Sequence, residues 1–315
     1  MTKGRKSFRT KENGPAKGIY NTSQLLNFAQ DSYLDRTSRP IYAIVFLLPF
    51  IVFYELCVFF IRTDVLNQSP ILVDTFVWLQ KFLGSLGFGG RPAWVAPPLV
   101  VVVILTALQI TSGKRWRFWL GDVWRMAVEC VLLAVPLVVL VLFINSLGQT
   151  QCETAWFGGA STAAQNTAVT SCSAVTANSL PADSAEPGGE INWKYWMANI
   201  ASGIGAGIYE ELIFRLILIC VLMMLFQDIL GLSHKNSIVL SVLISAALFS
   251  VHHHIDFLSG QPNQRDLFNW MRFSFRTIAG VYFAVLFAIR GFGITAGTHA
   301  FYNIIAVSIN ARFFQ

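Results

Sequence analysis

Two glutamates and an arginine interrupt an apolar run. Tyr209-Glu210-Glu211-Leu212-Ile213-Phe214-Arg215 leads straight into Leu216-Ile217-Leu218-Ile219-Cys220-Val221-Leu222-Met223-Met224-Leu225-Phe226, where no further charge appears. Placing an Asp or Arg at the centre of a membrane helix costs roughly 2.5–3.5 kcal/mol, and Glu is comparable. Three unpaired groups would oppose insertion by something on the order of 8–10 kcal/mol. Such a segment is tolerable only where the charges face the inside of a bundle, pair with one another and line a polar cavity.

The rest of the chain agrees with a membrane setting. Of 315 residues, 54% are hydrophobic and 13% charged, against about 25% charged in an average soluble domain. The fold class expected is all-α, a polytopic bundle. A bilayer-spanning helix needs about 20 mostly apolar residues. Seven stretches qualify, at 41–62, 93–112, 124–146, 194–226, 237–254, 270–290 and 292–310. The segment 72–90 carries Asp74, Lys81 and several glycines, so it reads as interfacial or re-entrant, with an eighth span as the alternative. Pro49 and Pro136 fall inside spans as tolerable kinks.

Four regions follow: a basic tail at 1–40, accessory spans at 41–146, a polar loop at 147–193 rich in Ser, Thr, Ala and Gly, and a helical core at 194–315. The tail shows no signal-peptide h-region before Ile41, which favours an uncleaved first span. The net charge of +6 lies largely in that tail and at span ends, where it sets topology. A multi-pass protein of the cell membrane with a cytoplasmic N-terminus is therefore expected, in contact with the lipid bilayer and without a nucleic-acid partner. Oligomeric state is not legible. With seven spans the 147–193 loop is external, where Cys152 and Cys172 could form a disulfide. Cys57, Cys130 and Cys220 lie in apolar spans and read as small core residues.

Three helical pieces carry the polar groups. Glu211 and Arg215 are four apart, share a helix face and can pair. Glu210 points about 100° away and stays available to another partner. Phe249-Ser250-Val251-His252-His253-His254 closes a second apolar run. Consecutive histidines on a helix diverge by about 100° each, so not all three can enter one site; His253 shares a face with Phe249. In Thr298-His299-Ala300-Phe301-Tyr302-Asn303, His299 and Asn303 are again four apart and can aim two donors at one point, as stabilising an oxyanion requires. If the helices carrying Glu210 and His253 are antiparallel neighbours, those two groups meet at similar depth.

EExxxR, then FxxxH, then HxxxN, each on its own apolar helix, resembles the CPBP family, which includes CAAX prenyl endopeptidases and bacterial bacteriocin-processing or self-immunity membrane proteins. The resemblance covers about residues 200–310 and implies an all-helical intramembrane glutamic protease acting on a peptide or membrane-protein substrate. It implies that Glu210 with His253 activates water, that His299 and Asn303 form the oxyanion hole, and that Glu211 and Arg215 brace the site. No cofactor is expected. A zinc-dependent version would use Glu210, His253 and His299 as a His₂Glu site, although HExxH is absent and Arg215 would repel a cation. The non-catalytic alternatives are an immunity or scaffold protein and a proton-coupled carrier, the latter without the two similar halves such carriers show. The family's eukaryotic prenyl endopeptidases open to the cytosol, whereas the seven-span charge pattern here puts the start of the Glu210 helix outside.

Overall fold

A computed structural model describes residues 28–29, 31–62, 74–87, 95–157, 193–255, 260 and 268–313. Among these the chain is helical, with the order α1 (Tyr33–Thr37), α2 (Pro40–Arg62), α3 (Asp74–Ser85), α4 (Ala96–Ser112), α5 (Leu120–Phe157) and α6 (Trp193–Glu211). After α6 the same rod continues through a π-helical turn (Leu212–Ile217), α7 (Leu218–Met223) and a second π turn (Met224–Ile229). Then come α8 (His234–His254), α9 (Trp270–Arg290) and α10 (Phe292–Phe313). Among the described residues six helices are long and apolar enough to cross a membrane, and Ala96–Ser112 is a shorter apolar helix of the same character. These are the seven stretches read from the sequence. The protein is a polytopic helical bundle.

Local chemistry sets several helix boundaries. Gly113 ends α4 in the left-handed region at φ 62°, donating its N–H to the Ile110 carbonyl. Ser233 caps α8 through its hydroxyl, and Asn269 caps α9 by accepting from the Met271 and Arg272 amides. Pro49 and Pro136 lie inside α2 and α5 without ending them.

Two expectations need adjustment, and the reading of 72–90 is narrowed to its short-helix form. The ambiguous segment 72–90 contains α3, only 12 residues long; at about 1.5 Å per residue it falls well short of a hydrocarbon core about 30 Å thick. Helix α5 continues to Phe157, so the stretch 147–157 read as loop is helical, and 158–192 lies outside the described residues. The Cys152–Cys172 pairing that an external loop would allow falls outside them too, since Cys172 is in that segment. Cys57 and Cys130 are buried free thiols as expected, but Cys220 is exposed on the helix surface. An apolar span alone does not say which face a residue takes.

Large apolar side chains on the outer faces of α2 and α5, such as Phe59, Phe60, Leu132 and Val139, are exposed. That is the surface a bilayer covers. Inside, α6 is the central rod and packs on α10 and α2 through small residues. The Gly203 position is filled by the Cβ of Asn303, and Gly207 lies against the Ala300 backbone. Close approach of this kind is how helices associate in lipid, where apolar burial gives little drive.

One end of the bundle is tied by ion pairs. Arg290, last in α9, makes two bonds to Glu129 of α5 at 2.6 and 2.8 Å, and Tyr33 of α1 donates to the same carboxylate at 2.7 Å. Burial, reinforced by Glu129, pushes the Tyr33 phenol up, which keeps it a donor. Arg36 bonds Asp122 at 2.9 Å, and Tyr42 donates to that carboxylate at 3.1 Å. Lys114, Arg115 and Arg125 gather at this end, within 4.0 Å of Asp35, Asp31 and Asp122 respectively.

The close α6–α10 contact carries a testable consequence. A Cβ at Gly207 would lie 2.5 Å from the Ala300 backbone nitrogen, and backbone cannot step aside cheaply. Gly207→Ala is expected to part the two helices and destabilise the protein by about 1–3 kcal/mol, measured as a lowered unfolding midpoint of the purified protein in detergent.

Candidate active site

Glu210 and Glu211 close α6, and Arg215 sits in the π turn that follows. A π turn closes its hydrogen bonds one residue later than an α turn, as the bond from the Leu218 N–H to the Ile213 carbonyl shows. Four steps along this wider turn still return Arg215 to Glu211, with Nε 3.0 Å from Oε2 and both side chains fully buried. Ser245 of α8 donates to the Phe214 carbonyl at 2.6 Å, satisfying an acceptor inside the π turn.

The Arg215 guanidinium is sandwiched. It lies 4.2 Å from the Phe249 ring centroid and 5.6 Å from that of Phe283, and donates to the Gly280 carbonyl at 3.4 Å. Phe249 of the FxxxH motif thus covers the arginine of EExxxR, a cation–π contact that holds α8 and α9 against the rod.

Glu211 also binds His299. Oε1 accepts from His299 Nδ1 at 2.8 Å, and the Phe283 ring stacks on the imidazole at 4.5 Å. With Nδ1 engaged, Nε2 points toward Glu210, 3.9 Å from Oε2. His253 is oriented in a similar way. Its Nδ1 donates to the Phe249 carbonyl at 2.9 Å, because a carbonyl can only accept, and its Nε2 lies 3.9 Å from Glu210 Oε1. The buried Glu210 carboxylate therefore has one imidazole nitrogen before each oxygen. Both gaps are too long for direct hydrogen bonds and suit a water or a reacting atom between the groups.

The structure brings together Glu210, Glu211, Arg215, His253 and His299. The other two histidines diverge as the 100° step requires: His252 packs against Trp78 and Phe214, and His254 against Phe268 and Phe273. Asn303 is one turn beyond His299 on α10, and its Nδ2 donates to the Gly203 carbonyl at 3.0 Å. One of its two amide hydrogens is thus committed to the α6 backbone; the second remains to the side chain. Among the described residues, no group of three or more His, Cys, Asp or Glu is arranged to hold a metal ion.

Two charged residues near this region escaped the sequence reading. Arg276 of α9 acts electrostatically on Glu210, His253 and Tyr302. Glu55 of α2 accepts from the Tyr209 hydroxyl at 3.2 Å, on the residue next to Glu210. Each is a charge within an apolar helix, and the insertion cost that singled out Glu210 would have flagged both.

This is a membrane bundle with a buried acid–imidazole cluster at the meeting of three helices. Residues 192–305 match the family model described as Type II CAAX prenyl endopeptidase Rce1-like. The match supports the CPBP/CAAX protease family for this segment, which contains all three motifs. No curated protein and no solved structure matches the chain.

The two glutamates should separate by their effect on stability. Glu211→Ala strands a fully buried guanidinium and releases His299, at a cost of about 3–5 kcal/mol. Glu210→Gln breaks no direct bond and should leave the unfolding midpoint close to wild type. Parallel denaturation of the two purified variants checks the contrast.

Proposed function

We propose that the chain is an intramembrane endopeptidase of the glutamic type and that Glu210 is its general base. The observation that carries this reading is the Glu210 carboxylate held between two imidazole nitrogens, 3.9 Å from each and bonded to neither. A water between Glu210 and His253 gives its proton to Glu210, and the oxygen attacks the scissile carbonyl. Charge developing on the carbonyl oxygen is met by His299 through Nε2–H, with Glu211 accepting at Nδ1 and fixing the ring, and by the second amide hydrogen of Asn303. Glu210 then returns the proton to the leaving amine, so the carboxylate is regenerated. Arg215 and Glu211 act as positioning residues. The substrate is a peptide or membrane-protein bond. The basic residues gathered at one end of the bundle support, through the positive-inside rule, a cytoplasmic N-terminus for a protein of the cell membrane.

Purified full-length protein in liposomes, given quenched fluorescent C-terminal peptides with and without a prenyl group, tests the reading. Glu210→Gln should reduce cleavage by about 10²–10⁴-fold, the usual worth of a positioned general base. Activity retained in that variant removes the mechanism, and an immunity or scaffold role then takes its place. Chelation discriminates the chemistry further: 1,10-phenanthroline should leave the rate unchanged, whereas a zinc-dependent enzyme would lose activity.

A further inference from the structure

Helices α4 and α5 are both apolar, so the chain that joins them stands at the membrane surface. That connection reads Gly113-Lys114-Arg115-Trp116-Arg117-Phe118-Trp119, cations and rings interleaved, and Trp124-Arg125 repeats the pairing one turn into α5. The apolar span of α5 begins at Leu120, and at 1.5 Å per residue Trp124 lies only about 6 Å further along it. Trp116, Trp119 and Trp124 are exposed, the last two at 68% and 72%. Indole rings at this depth are the usual mark of the headgroup layer.

The cations of this segment have charge to spare. Asp31 is already taken by Arg39 at 2.7 Å, and Asp122 by Arg36 through two bonds of 2.9 and 3.2 Å. Arg115 and Arg125 stand behind those partners, 3.8 and 4.0 Å from the same two carboxylates, with side chains 74% and 69% exposed. Ion pairs that long and that exposed are weak. Arg117 is exposed between two exposed rings, Trp116 and Phe118. Three guanidiniums thus turn outward in the layer where phospholipid phosphates lie, and their planar fork matches a phosphate. A zwitterionic headgroup carries its own ammonium, whereas an anionic one brings a phosphate charge that these arginines alone can balance.

We propose that the α4–α5 connection is a binding site for anionic phospholipid, in which Arg115, Arg117 and Arg125 hold the headgroup phosphate and Trp116, Trp119 and Trp124 border its acyl chains. None of these residues belongs to the candidate active site, and the proposal makes no assumption about catalysis.

Native mass spectrometry of the full-length protein in detergent tests it, with phosphatidylglycerol and phosphatidylcholine of the same acyl chains as the two titrants. Wild type should bind the first phosphatidylglycerol about 10- to 100-fold more tightly than phosphatidylcholine, since a basic residue near an anionic surface contributes about fivefold. The combined variant Arg115→Gln, Arg117→Gln, Arg125→Gln should bring the two Kd values together, and Lys at the same three positions should keep most of the preference. Lys81→Gln with Lys235→Gln removes two exposed cations elsewhere and should keep all of it. Should the triple Gln variant fold poorly, Arg117→Glu alone is expected to reduce the preference by about tenfold. Equal Kd values in wild type overturn the proposal and give the patch to an acidic protein partner. A preference unchanged in the triple Gln variant or in Arg117→Glu, or lost equally in the lysine control, overturns it as well.

Discussion

A guanidinium with no solvent exposure has to be neutralised where it stands, and the region around the candidate site is arranged to do that. Arg215 is met by Glu211 at 3.0 Å, by the Gly280 carbonyl, and by the faces of Phe249 and Phe283. Those partners come from the central rod, from α8 and from α9. Glu211 then extends the cluster to α10 through His299 at 2.8 Å. Four helical segments are thereby fastened by one buried charge. In lipid, where apolar contacts between helices gain little over contacts with acyl chains, such polar fastening and the close packing of small residues must set the geometry.

The position of Glu210 follows from that fastening. Its neighbour Glu211 is turned toward Arg215 and His299, so Glu210 is directed into the space between α8 and α10 and faces two histidines at equal distance. Each imidazole is held from behind, His253 by the Phe249 carbonyl and His299 by Glu211. Rings anchored at one nitrogen present the other with little freedom. Fixed geometry of this kind is what the proposed catalysis would draw on.

The helical spans, the Glu211–Arg215 pair and the divergence of His252, His253 and His254 were legible because each depends on local periodicity and on the cost of charge in hydrocarbon. Other features were not. The π turn at Leu212–Ile217 leaves no mark in residue spacing, and it is accommodated by Ser245 from another helix. The exposure of Cys220 depends on which helices flank α7. Asn303 has the spacing to work with His299, yet one of its amide hydrogens is taken by the Gly203 carbonyl, a partner set by helix docking. Arg276 and Glu55 stood in plain view as charges within apolar helices, but which residues of other helices they meet was not legible.

The amino-acid order by itself determined a helical membrane protein with three polar motifs turned inward, because a bilayer offers buried charge no other solvent. It also determined which pairs four residues apart could share a face. Tertiary structure alone decided that Glu210 meets two imidazoles, that Glu211 serves arginine and histidine together, and that the Tyr209 hydroxyl reaches Glu55 of α2. Those relations join residues up to 154 positions apart, and no rule of local spacing reaches across helices whose docking depends on side-chain shape.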